Sequence, residues 1–169
     1  MTLLQSVIAI PILSILLILQ TAIISQVPLL EGTADLILLA LVAWAIQKRV
    51  QTAWIWGGIG GLLVGYVSAI PLVVYLSAYL AAVGFALFLR QRMWNMPLLA
   101  MLLVTFLSTL LLHGLTFLSL QLSDSPVAII ESINLITLPS LLLNILLAFP
   151  FFILFGDLAR LLYPESLEM

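Results

Sequence analysis

Cysteine is absent and charge is scarce: the 169 residues include five Lys or Arg, seven Asp or Glu and one histidine, so only 7% are charged. Without thiols there can be no disulfide, no thiolate metal site and no thiol catalysis. So little charge excludes a water-soluble domain, whose surface these residues could not cover. There is no basic patch for nucleic acid, no HExxH, no nucleophile with a base beside it, no pair of intramembrane aspartates and no phosphate-binding glycine loop with a lysine. The sequence therefore predicts no enzyme, no catalytic residue, no cofactor and no metal. What is present is hydrocarbon: 64% of residues are hydrophobic and the mean hydropathy is +1.34. The solvent of such a chain is a bilayer, and its long apolar runs must be helices because lipid satisfies no backbone N–H or C=O group.

Helix breakers and charges divide the chain into a single all-α integral membrane domain over 1–169, with six transmembrane helices at about 3–24, 34–47, 52–67, 71–89, 97–120 and 139–162. The first has no basic residue before it, which favours a retained helix over a signal peptide, with Pro11 as a kink. Thr33 is placed to cap the second. Pro71, Pro97 and Pro139 sit where a first helical turn tolerates proline. Between the fifth and sixth segments, LSDSPVAIIESINLITL is too polar to span and too apolar for a free loop. A short outer interfacial helix near 126–136 is expected there.

Lys48 and Arg49 follow the second segment, Arg90 and Arg92 the fourth, and Arg160 closes the sixth. Glu31, Asp35, Asp124 and Glu131 fall in the loops after the first and fifth. The positive-inside rule then puts both termini in the cytoplasm of a multi-pass protein of the inner (plasma) membrane. Trp44, Trp54, Trp56 and Trp94 gather near the basic ends of the segments, where an aromatic belt would lie.

Few polar residues enter the apolar segments. His113 is read as an interhelical hydrogen-bonding group rather than a relay, because no second titratable group lies at its depth. Asn144 is read as an amide bonding across helices. Asp157 and Arg160 can pair on one face at the membrane boundary. Gln20 and Gln47 lie near helix ends and call for no special role.

The stretch WIWGGIGGLLVGYVSA places Gly57, Gly61 and Gly65 at four-residue intervals on one helix face. Each glycine costs about 1 kcal/mol of helix propensity. Close helix approach offsets that loss in lipid, where no hydrophobic drive brings helices together. The neighbour is either the fourth segment, with Ala78, Ala81, Ala82 and Gly84, or a helix of another protein; the short connection favours the fourth segment. Gly58 and Gly60 fall off this face.

Three stretches resemble the rod shape-determining protein MreD family of bacteria. They are QTAIISQVPLLEGTADLILLALVAWAI, the glycine segment with the following YLSAYLAAVGFALFL, and LPSLLLNILLAFPFFILF, whose Pro139, Asn144 and Pro150 match the family's final-helix pattern. Ala34 stands where the family usually has proline, and Gly65 where many members carry an aspartate, so any role of that acid is missing here or placed elsewhere. The resemblance implies a non-enzymatic scaffold of the cell-elongation complex that supports peptidoglycan synthesis and rod shape. It would bind an MreC-like single-span protein, linked to a RodA-type glycosyltransferase, its transpeptidase and MreB. Membrane lipid and a second copy of the chain are further expected partners. The family is also similar in architecture to the substrate-binding subunits of energy-coupling-factor vitamin transporters. The alternative is accordingly a small-solute binding subunit, with Glu31, Asp35, Asp124, Glu131 and His113 contributing to an outward pocket. Against it, no single segment has the density of donors that a vitamin-sized ligand requires.

Overall fold

An 11-residue helix with no exposed face forms the axis of the structure, a computed structural model that describes residues 2–26, 28–123 and 128–163. That helix is α3, Leu36–Ile46. It is preceded by α1 (Thr2–Val7) and α2 (Ala9–Ala22), and followed by α4 (Ala53–Val67), α5 (Leu72–Arg92), α6 (Pro97–Leu122), α7 (Ile129–Ser132) and α8 (Leu138–Leu162). The sequence of α3, LILLALVAWAI, is apolar all round, as a helix enclosed on every side requires. It touches α2, α4, α5, α6 and α8.

Four helical stretches, Gln5–Gln26, Leu72–Arg92, Pro97–Leu122 and Ile129–Leu162, are long and apolar enough to cross a membrane. The other two apolar helices are shorter. At about 1.5 Å per residue α3 reaches about 16 Å and α4 about 22 Å, against a hydrocarbon core of about 30 Å.

The first helix is disrupted near Pro11, where a kink is expected. It is interrupted at Ile8, between α1 and α2, three residues before Pro11. Pro11 has no N–H for the Val7 carbonyl, so the ladder fails ahead of the ring. Helix is present in the expected stretch near 126–136 from Ile129 onward, residues 124–127 lying outside the described set, but it is not separate: α7 runs through a π-helical turn, Ile133–Thr137, straight into α8. The reason lies at Pro139 and Gly32. Pro139 cannot donate to the Leu135 carbonyl, and the Glu31 N–H takes that acceptor instead at 3.1 Å. The loop comes this close because Gly32 has no side chain. A Cβ there would lie 2.6 Å from Ile136 O and from Ser140 N.

The glycine-rich helix α4 packs on α5. A Cβ on Gly57 would meet Val83 at 3.0 Å, one on Gly61 would meet Leu76 Cα at 2.8 Å, and one on Gly65 would meet Leu72 at 2.9 Å. The face is thus filled by leucine and valine of the chain's own next helix, not by the alanines at 78, 81 and 82. Gly60 faces α3, where a Cβ would touch Leu41 at 3.0 Å and Ile37 at 3.2 Å, while Gly58 has nothing within 4 Å. Two surfaces of α4 therefore use glycine to approach a neighbour.

The tryptophans divide into two pairs, and only one fits a belt. Trp54 and Trp94 are exposed. Trp44 and Trp56 are fully buried and stack on each other with ring centroids 4.5 Å apart, with Phe155 set edge-on against both. Their indole N–H groups donate inward, to Thr52 Oγ1 at 3.4 Å and Gln5 O at 3.1 Å. An aromatic stack of this kind adds about 0.5 to 1.5 kcal/mol beyond its contact area, so these two rings serve packing rather than anchoring.

Candidate functional site

A buried helix of 11 residues leaves its first amides and last carbonyls without intrahelical partners, and lipid offers none. Polar side chains from distant segments therefore collect at its two ends. At the start, Asp35 rather than Thr33 is the cap: its Oδ1 accepts from the Leu38 N–H at 2.9 Å. Gln20 Oε1 accepts from Leu36 N–H at 2.8 Å and Ile37 N–H at 3.3 Å. The Asp35 N–H donates to Asn144 Oδ1 at 2.8 Å, and Asn144 Nδ2 donates to Thr109 Oγ1 at 3.0 Å. Tyr79 Oη donates to Asp35 Oδ2 at 2.7 Å. The Thr33 N–H donates to Ser140 Oγ at 3.0 Å. Five helices, α2, α3, α5, α6 and α8, and the loop before α3 are thereby tied to a single carboxylate and its neighbours.

The other end of α3 is met by one cation. Arg90 Nη1 donates to the carbonyls of Ala45, Gln47 and Val50 at 3.2, 2.8 and 3.1 Å. Opposite charges thus complement the two ends of the helix macrodipole, acid at the start and base at the finish. The basic residues gather at this finishing end: Lys48 lies over the Trp94 ring at 4.9 Å, and Arg49 donates to the Tyr163 carbonyl at 3.2 Å. Arg160 pairs with Asp157 at 3.1 Å on the exposed side of α8.

Beside the Asp35 end lies a half-open cavity of about 490 Å³. Gln20, Asp35, His113, Thr116, Ser132 and Thr137 bring polar atoms to its wall, and Leu112, Phe117, Ile133 and Ile136 supply apolar surface. His113 Nδ1 lies 3.1 Å from Thr137 Oγ1. Neither lysine nor arginine lines it. Glu31 and Glu131 line a separate, smaller recess of about 90 Å³ together with Ala128, Ser132 and Ile136. Of the five groups expected at an outward pocket, Asp35 and His113 share the cavity, the two glutamates stand apart, and Asp124 lies outside the described residues.

Pro139 and Asn144 both belong to the Asp35 end, one holding the loop through Gly32 and the other through the Asp35 amide. Pro150 lies inside α8 on an exposed side and touches neither. Gly57, Gly61 and Gly65 lie on the α4–α5 contact and do not line the cavity. Reasoning from the sequence missed Gln20, Tyr79, Thr109 and Ser140. The available signal was the spacing of Ser140 and Asn144, four residues apart on one helix face. Among the described residues, no group of three His, Asp or Glu side chains is arranged for a metal ion. Two buried hydroxyls, Thr105 Oγ1 and Ser108 Oγ, have no hydrogen-bond partner and lie away from the cavity wall. No protein-family model, curated protein or solved structure matches the chain.

Proposed function

We propose that this chain is a non-enzymatic membrane scaffold of the MreD kind, multi-pass in the inner membrane with both termini cytoplasmic, supporting rod shape and peptidoglycan synthesis by binding an MreC-like single-span protein. The observation that carries the reading is the Asp35–Asn144 contact at 2.8 Å. It joins two of the three stretches in which the resemblance lies, and the third packs beside them through Gly60 on Leu41 and Ile37. Residues chosen for their likeness to one family thus meet around one buried helix. The six-segment topology draws support from the gathering of Lys48, Arg49 and Arg90 at the end of α3 opposite Asp35. Because α5 fills the glycine face, a partner helix would sit on an outer surface such as that of α2, where Ile10, Ile15 and Ile18 are exposed. The test is affinity copurification with an MreC-like protein from a rod-shaped bacterium, with cell shape followed on depletion. Recovery of the partner and rounding of the cells are expected. Absence of both overturns the reading.

A second reading, a small-solute binding subunit, is favoured by one observation: polar groups from five segments converge on the cavity beside Asp35. Native mass spectrometry of the purified protein would show a retained small molecule if it holds.

A further inference from the structure

We propose that the cavity beside Asp35 binds a small organic cation, a protonated amine on an apolar body, with the Asp35 carboxylate as its counter-ion. The inference rests on the solute-binding reading of the cavity and adds the chemical class of the ligand. A volume of about 490 Å³ lies within the roughly 300 to 1,000 Å³ of small-molecule sites, and the mixture of an apolar wall with a few fixed polar groups has the usual character of such sites.

Charge decides the class. Asp35 is 9% exposed and lines the cavity, yet among the described residues no cationic side chain pairs with it. Its oxygens accept only neutral donors, the Leu38 N–H and Tyr79 O–H with the Ile37 amide beside them. A carboxylate has about four lone-pair positions, so each oxygen retains acceptor capacity. Arg90 is committed to the far end of α3, where it holds three carbonyls. A buried carboxylate without a counter-ion is driven toward its neutral form, and a cation arriving from outside favours the ionised one.

Anions are disfavoured by the same geometry. The start of a helix ordinarily attracts them. Here the amides of Leu36, Ile37 and Leu38 are already taken by Gln20 and Asp35, and no lysine or arginine faces the space. Across the cavity, His113 engages Thr137 through Nδ1, and Thr116 and Ser132 join it in the lining. Phe117, Leu112 and Ile136 form the surface for the apolar body.

The test uses three probes that share an indole body: tryptamine (cation), tryptophol (neutral) and indole-3-acetate (anion). Each is titrated by calorimetry into the full chain in phosphatidylcholine nanodiscs. Tryptamine is expected to bind most tightly and indole-3-acetate least. Asp35→Asn keeps a strong helix cap; it should weaken tryptamine at least about tenfold and leave tryptophol nearly unchanged. Ser132→Phe fills the cavity away from the Asp35 contacts and should weaken both, which separates the site from partition into lipid. Equal binding of the three probes, unaffected by Asp35→Asn but lost in Ser132→Phe, would overturn the cation and preserve the solute site. No heat beyond that of Ser132→Phe for any probe would overturn both. If Asp35→Asn fails gel filtration, the order of the three probes on the unaltered chain decides alone.

Discussion

Asp35 and Tyr79, 44 positions apart, are joined by a 2.7 Å hydrogen bond in which a fully buried phenol donates to the carboxylate that caps α3. The bond ties the start of the central helix to α5. Tyr79→Phe removes the donor and leaves Oδ2 unpaired, which costs about 1 to 3 kcal/mol for a buried polar group. Thermal unfolding in detergent should show a clear loss for Tyr79→Phe and a smaller one for Asp35→Asn. In the double variant the two losses should not add, since the residues act on one another.

The glycines of α4 should separate by what each faces. Gly58 meets nothing within 4 Å, so Gly58→Ala gains helix propensity and should stabilise by up to about 1 kcal/mol. Gly61→Ala puts a methyl 2.8 Å from Leu76 Cα, and Gly32→Ala puts one 2.6 Å from two backbone atoms. Both should lower the melting temperature, because backbone cannot move aside as a side-chain end can. Melting curves of the three single variants check the order; a stable Gly32→Ala protein would contradict the close approach of the loop to α8.

Arg90 should resist even conservative replacement. One nitrogen of its planar guanidinium serves three carbonyls at the end of α3. Arg90→Met keeps much of the stem and leaves these acceptors without a donor, at about 1 to 3 kcal/mol. Arg90→Lys should recover part of the loss. Hydrogen exchange would read the difference as faster opening of the last turn of α3 in the Met variant than in the Lys variant.

Leu30 has φ 56°, a left-handed conformation that costs an L residue roughly 1 to 2 kcal/mol. It lies at the tip of the turn closed by the reciprocal Leu29 and Gly32 backbone hydrogen bonds, and its side chain is exposed. Leu30→Gly should therefore raise the melting temperature, and Leu30→Asn should do so less. Unchanged or lowered stability in both variants would mean that the Leu30 side chain contributes a contact outweighing its strain.

Particular residues explain why some features were legible and others not. Asp35 was visible as an acid before an apolar segment, and Asn144 as an amide where lipid permits few. The glycine spacing announced close helix approach, although leucines rather than alanines fill it. Gln20 gave no warning, because a glutamine near a helix end ordinarily reaches water or headgroups. Trp44 and Trp56 were misread for the same reason: nothing local distinguishes an indole at the interface from one stacked inside a bundle. The cavity was legible only in part: Asp35 and His113 stand out in the sequence, whereas Gln20, Thr116, Ser132 and Thr137, which complete its polar wall, are inconspicuous in their own segments.

The sequence by itself determined that the chain is helical and apolar enough to lie in a bilayer, and where along it the charges fall. Those properties follow from hydrocarbon content and the high cost of unpaired backbone or charge in lipid. Which faces touch was decided only by tertiary structure. In water a helix declares its inner face by being apolar on one side. In lipid both faces are apolar, so α3, enclosed by five helices, and α2, with much of its surface exposed, read almost alike as sequences.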